Sequence, residues 1–182
     1  MNIPNQITLL RILLIPVFVL VFYLPFKGNN LIAFAIFATA AFTDVLDGYL
    51  ARKLNQTSSL GAFLDPVADK LMVAVVLVLL VQENPEIYLT IPAAIIIGRE
   101  ITVSALREWM AEIGARSKVA VSILGKGKTI AQMLALGFLI IKESVFGLPV
   151  YTIGLVLIYI AAFLTLISMI QYLISAWPKL RE

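Results

Sequence analysis

Apolar residues run through this chain in long blocks, and polar positions fall mostly in the gaps between them. A helix needs about 20 mostly apolar residues to cross a bilayer. The blocks predict six such helices, over roughly 7–25, 30–52, 59–82, 87–110, 122–142 and 147–175. The gaps Pro25 to Asn30, Asn55 to Ser58, Gln82 to Glu86, Gly114 to Lys118 and Lys142 to Gly147 are polar or rich in glycine and proline. Ahead of the first block, Pro4-Asn5-Gln6 reads as a turn or a short interfacial helix. That block has no basic stretch before it and no small-residue cleavage site, so it is expected to be retained rather than removed as a signal peptide.

Composition agrees with the pattern. With 61% hydrophobic and 14% charged residues and a mean hydropathy of +0.99, the chain falls outside the range of soluble domains. The expected fold is an all-α membrane protein of six transmembrane helices, forming a single domain over 1–182. There is no cysteine and no histidine, which excludes disulfide frameworks, thiolate metal sites and imidazole catalysis. The net charge of +3 gives no reason to expect a nucleic-acid partner.

The basic residues orient the helices. With the N-terminus in the cytoplasm, Arg11, Arg52, Lys53, Lys70, Arg99, Arg107, Arg116, Lys118, Lys126, Lys128, Lys179 and Arg181 fall on that side, and only Lys27 and Lys142 fall on the other. Positive charge accumulates on cytoplasmic flanks, so both termini are expected there, in the cell membrane.

Several helices break their apolar pattern near that face: Asp44 and Asp47, Asp65 and Asp69, Arg99 and Glu100, Lys126 and Lys128. Charges at membrane depth avoid lipid, so these ends are expected to line a polar cavity open to the cytoplasmic side. All four aspartates of the protein lie in one segment. Asp44, Asp47, Gly48 and Ala51 are spaced to share one helix face, and Gly61, Asp65 and Asp69 share another. Facing each other, the two sets offer up to eight carboxylate oxygens, suited to a hard divalent cation. The small residues leave room for a bulky ligand, and Arg52 offers a planar fork for phosphate. That combination points to phosphoryl-group chemistry. The same acidic pairs could serve a cation or proton pathway, although the opposite halves of the helices carry almost none of the polar residues a transporter would need. Gly48 and Gly61 could equally be small-residue helix contacts.

A second, basic cluster comprises Arg99, Arg107 two turns on, and Lys126 and Lys128 within Gly125-Lys-Gly-Lys-Thr129. It would suit a small anionic second substrate. Alternatively the lysines anchor anionic headgroups, and Arg99 forms a structural pair with Glu100 or Glu108. The glycine–lysine run is not a Walker A loop, because its first glycine is missing and no strand precedes it.

The pattern D-x2-D-G-x2-A-R-x8-G-x3-D-x3-D, matched in full from Asp44 to Asp69, resembles the signature of the CDP-alcohol phosphotransferases. Looser likenesses lie in Asn2 to Arg11, Gly98-Arg-Glu100, Leu106-Arg107 and Gly125 to Thr129, and are most similar to the bacterial phosphatidylglycerophosphate synthase branch of that family. The resemblance implies a homodimer of six-helix subunits in membrane lipid with a divalent metal, Mg²⁺ or Mn²⁺. It implies transfer of a phosphatidyl group from CDP-diacylglycerol to an alcohol, here sn-glycerol 3-phosphate, with release of CMP. By the same resemblance Asp44, Asp47, Asp65 and Asp69 ligate metal and Asp69 is also the general base. Gly48, Ala51, Arg52 and Gly61 then shape the CDP-diacylglycerol site. Their charges, rather than the resemblance, give Arg99, Arg107, Lys126 and Lys128 the acceptor phosphate. The nearest rivals are the same transfer to phosphatidylglycerol, serine or inositol, and a prenyltransferase, whose aspartate spacing differs.

Overall fold

A computed structural model describes residues 3–53, 59–114, 123–145 and 147–180. It contains helices α1 (Ile3–Tyr23), α2 (Asn29–Lys53), α3 (Ser59–Glu83), α4 (Ile87–Glu112), α5 (Ile123–Ile141) and α6 (Val150–Leu180). Each predicted helix is present. Pro4-Asn5-Gln6 is not a separate turn: it forms the first turn of α1, where a proline costs nothing because that N–H has no intrahelical partner. At the other end α6 continues past 175 to Leu180. Among the described residues three helices are long and apolar enough to cross a membrane: Asn5–Tyr23 of α1, α4, and Val150–Pro178 of α6. Leu13, Leu20, Leu31, Phe163 and Ile174 are each more than half exposed, a surface suited to lipid rather than water.

The chain forms two compact units, Met1–Glu83 with Gly137–Tyr151, and Asn84–Leu136 with Thr152–Glu182. In the first, among the described residues, α1 lies against both α2 and α3, with far less contact between α2 and α3. The buried face of α1 runs Asn5, Thr8, Arg11, Ile15, Phe18, in steps of three and four. On α2 the buried stripe is Ala33, Phe37, Ala40, Asp47, and on α3 it includes Ala68, Met72, Val76 and Leu80. Helical periodicity therefore aims the polar residues of α1 and α2 inward along the same faces that bury the apolar core.

The opposite end of this unit is pinned by side chains. The Tyr23 hydroxyl donates to Gln82 Oε1 at 3.0 Å. Lys142 pairs with Glu83 and sits 5.2 Å from the Phe22 ring centroid. Lys142 ends α5 with a left-handed φ of 60° while its N–H still reaches Phe138 O at 3.2 Å, an αL helix end usually given to glycine. A Cβ at Gly137 would lie 3.0 Å from the Phe34 ring, so only a glycine sits there without moving that ring.

In the second unit α4 and α6 bury Val103, Met110, Tyr172 and Ala176, with Leu106, Trp109 and Met169 packed around them. Gly114, at φ 71°, closes α4, its N–H donating to Ala111 O at 3.1 Å.

Candidate functional site

In the first unit the aspartates of α2 and α3 both meet α1, and Asp47 and Asp65 share its Thr8 hydroxyl. Asp44 and Asp47, one turn apart on α2, are both bound by Arg11: Nη1 donates to Asp44 Oδ1 at 2.5 Å and Nη2 to Asp47 Oδ2. One turn earlier on α1, the Thr8 hydroxyl donates to Asp65 Oδ1 at 2.6 Å and lies 3.3 Å from Asp47 Oδ2. Asp47 is buried, whereas the side chain of Asp44 keeps 40% of its exposure. Asp69, one turn beyond Asp65 on α3, is partly buried, and Gly61, one turn before Asp65, is buried. The side chains of Gly48, Ala51 and Arg52 lie outside the described residues.

Two helices alone were expected to frame the carboxylates; the structure adds a third. Among the described residues no three acidic side chains form a group able to hold a metal ion, and Arg11 and Thr8 contact three of the four aspartates. The donor set nonetheless fits a hard cation. It consists of oxygens only, and Asp44 and Asp47 already close around one positive group.

Arg11 and Thr8 contact the candidate site, although neither is among the site residues that the sequence predicts. In the sequence Arg11 reads as a charge orienting the helix and as the end of the Asn2 to Arg11 likeness, with no site role attached. Its neighbours Leu9, Leu10, Ile12 and Leu13 were the available signal, because an arginine inside an apolar stretch faces a partner rather than lipid.

The second unit holds the basic cluster. Arg99 Nη1 donates to Glu100 Oε1 at 2.9 Å, Nη2 donates to Ser168 Oγ at 3.0 Å, and the guanidinium carbon is 5.8 Å from the Tyr172 ring centroid. Lys128 Nζ donates to the same Glu100 Oε1 at 2.5 Å. Arg99 and Lys128 are thus brought together by Glu100, which forms the structural pair with Arg99 that the sequence allows. Arg107 is exposed: eight residues exceed two full turns by about 80° at 3.6 residues per turn, so it leaves the face of Arg99. The side chain of Lys126 lies outside the described residues. Gln132 Oε1, one turn along α5 from Lys128, and Thr165 Oγ1, one turn before Ser168, are buried without a hydrogen-bond partner. The buried lining of this unit is therefore polar over more than one turn of both α5 and α6.

Comparison with known proteins fits these features. The sequence pattern of the CDP-alcohol phosphatidyltransferase family matches residues 1–168. The chain is 58% identical over 182 residues to the CDP-diacylglycerol–glycerol-3-phosphate 3-phosphatidyltransferase of Pseudomonas fluorescens, covering all of this chain and 93% of that one. It is 56% identical over 172 residues to the protein of the same name from Haemophilus influenzae, covering 94% and 91%. With that of Shigella flexneri serotype 5b it shares 53% over 181 residues, covering 100% and 98%. An intact aspartate signature on paired helices, within a match of this extent, has one consequence: the chain belongs to the CDP-alcohol phosphatidyltransferase family.

Proposed function

We propose that this protein transfers the phosphatidyl group of CDP-diacylglycerol to sn-glycerol 3-phosphate, giving phosphatidylglycerophosphate and CMP. The observation that carries the reading is the identity of 53% to 58% over essentially the whole chain with proteins bearing that enzyme name.

In the proposed reaction the acceptor hydroxyl oxygen attacks the phosphatidyl phosphorus as the bond from that phosphorus to the CMP oxygen breaks. CMP leaves with the electron pair, and Asp69 takes the proton of the hydroxyl. Asp44, Asp47, Asp65 and Asp69 hold the divalent ion, Mg²⁺ or Mn²⁺. Bound there, the ion would offset the charge of the diphosphate as the bond breaks. Gly48, Ala51, Arg52 and Gly61 receive the CDP group. Arg99, Arg107, Lys126 and Lys128 fix the acceptor phosphate, and holding donor and acceptor in line supplies much of the acceleration.

All six helices span the cell membrane in this reading, with both termini and the aspartates at the cytoplasmic face, and the whole chain works as one catalytic domain in a homodimer. A donor with acyl tails in lipid and a nucleotide in water suits a site at that depth. The test is CMP release from labelled CDP-diacylglycerol by the purified protein with a panel of alcohols. Release with glycerol 3-phosphate alone supports the assignment, and preference for serine, inositol or phosphatidylglycerol overturns it.

A further inference from the structure

Arg11 is 1% exposed, the least accessible charged side chain among the described residues. Its two terminal nitrogens divide between two carboxylates one turn apart, Asp44 and Asp47, and its Nε has no partner. A topology-setting arginine would reach toward water or headgroups. This one is turned inward, onto the residues assigned to the metal. Four aspartates are assigned to the metal and Arg11 supplies one positive charge to two of them, so the group keeps an excess of negative charge that favours a divalent cation. Removing a positive partner from buried carboxylates leaves them uncompensated in a medium that solvates charge poorly.

We infer that Arg11 is a positioning residue, a resident counter-cation that keeps Asp44 and Asp47 together when no metal is present and competes with the metal for their oxygens. The inference rests on the metal reading above. A guanidinium already engaged by both carboxylates opposes a second positive charge a few ångströms away by direct repulsion, so metal uptake works against the Arg11 contacts. Thr8 is the neutral counterpart. Its hydroxyl ties Asp65 of α3 to the same helix without opposing a cation. Residues of one helix therefore hold the carboxylates of two others in register, and only one of these residues must give way.

The test uses the full-length protein in detergent, without substrate. Mn²⁺ affinity is read from the electron-paramagnetic-resonance signal of the free ion, and thermal unfolding is followed with excess chelator. Wild type is expected to bind Mn²⁺. Arg11→Gln is expected to bind it more tightly, by roughly 5- to 150-fold as for other coupled sites, and to melt at a lower temperature in chelator. Arg11→Lys keeps the charge but cannot fork between two carboxylates, and is expected to fall between the two on both measures. It carries the comparison if Arg11→Gln does not fold. A merely structural arginine would lower stability without tightening the metal. Variants that bind Mn²⁺ no more tightly than wild type, or that melt unchanged in chelator, overturn the inference alone. A wild type that takes up no Mn²⁺ overturns the metal reading and this inference with it.

Discussion

Lys128 of α5 reaches Glu100 of α4 at 2.5 Å, with the lysine side chain 4% and the glutamate side chain 24% exposed. Arg99 donates to the same oxygen. One carboxylate thus sets the positions of two cations assigned to the acceptor phosphate. Removing one partner of a buried pair strands the other charge, at a cost of about 3–5 kcal/mol when burial is complete. Glu100 keeps some exposure, so Glu100→Gln is expected to lose rather less, on the order of 2–3 kcal/mol. Combined with Lys128→Met, the loss should be smaller than the sum of the two single changes. Thermal unfolding of the four proteins in detergent measures this, and strict additivity would mean the contact carries no energy.

For the acceptor, Arg99→Ala and Lys126→Ala are expected to raise the KM for glycerol 3-phosphate well above any change for CDP-diacylglycerol. A charge-assisted phosphate contact is worth roughly 1.5–3 kcal/mol, so increases of about ten- to a hundredfold are expected. Steady-state kinetics with each substrate varied in turn decides. Unchanged KM values in both variants would return the cluster to a role in topology or headgroup anchoring.

The helices were legible because lipid imposes a length and composition that a sequence cannot hide. Which helix faces which was not, since an apolar stripe such as Ala33, Phe37 and Ala40 fits many neighbours equally well. Asp47 and Asp65 do approach one another across the Thr8 hydroxyl, but the part α1 takes there through Arg11 and Thr8 is not written in the aspartate spacing. That spacing was itself legible because a helix face is a local property. The pairing of Arg99 with Glu100 was likewise legible, being local, whereas the contact of Glu100 with Lys128, twenty-eight positions away, was not, because no local pattern joins the two.

Asp44→Asn and Asp65→Asn keep shape while removing charge. Several kcal/mol of charge stabilisation is at stake, so each is expected to lower CMP release by roughly a hundredfold or more. Chelator should silence wild type in the same way, with activity restored by added Mg²⁺ or Mn²⁺. The asparagine at 65 can still accept from the Thr8 hydroxyl, so the fold should survive. Circular dichroism and gel filtration check that, and full turnover by Asp44→Asn in chelator would sink the metal assignment.

Packing offers a test independent of chemistry. With a Gly137 Cβ placed 3.0 Å from the Phe34 ring, Gly137→Val is expected to destabilise the protein by about 1–3 kcal/mol through overpacking. Phe34→Leu in the same chain should recover part of the loss by vacating the space. A melting temperature unchanged by Gly137→Val would show that the ring moves aside freely.

Asp69 is assigned two roles, and they separate experimentally. As general base it acts only in the transition state, so Asp69→Asn is expected to lower kcat by roughly 10²–10⁴-fold while the KM for CDP-diacylglycerol stays near its original value. As a metal ligand alone it would lose Mn²⁺ affinity, and kcat would recover at saturating metal. Measuring kcat, both KM values and Mn²⁺ binding on one preparation distinguishes these outcomes. Asp69→Glu returns a carboxylate displaced by one methylene, and its partial recovery of kcat without a change in donor KM would place proton removal on that carboxylate. Recovery of Asp69→Asn by metal alone would assign the proton to solvent or to another of the aspartates.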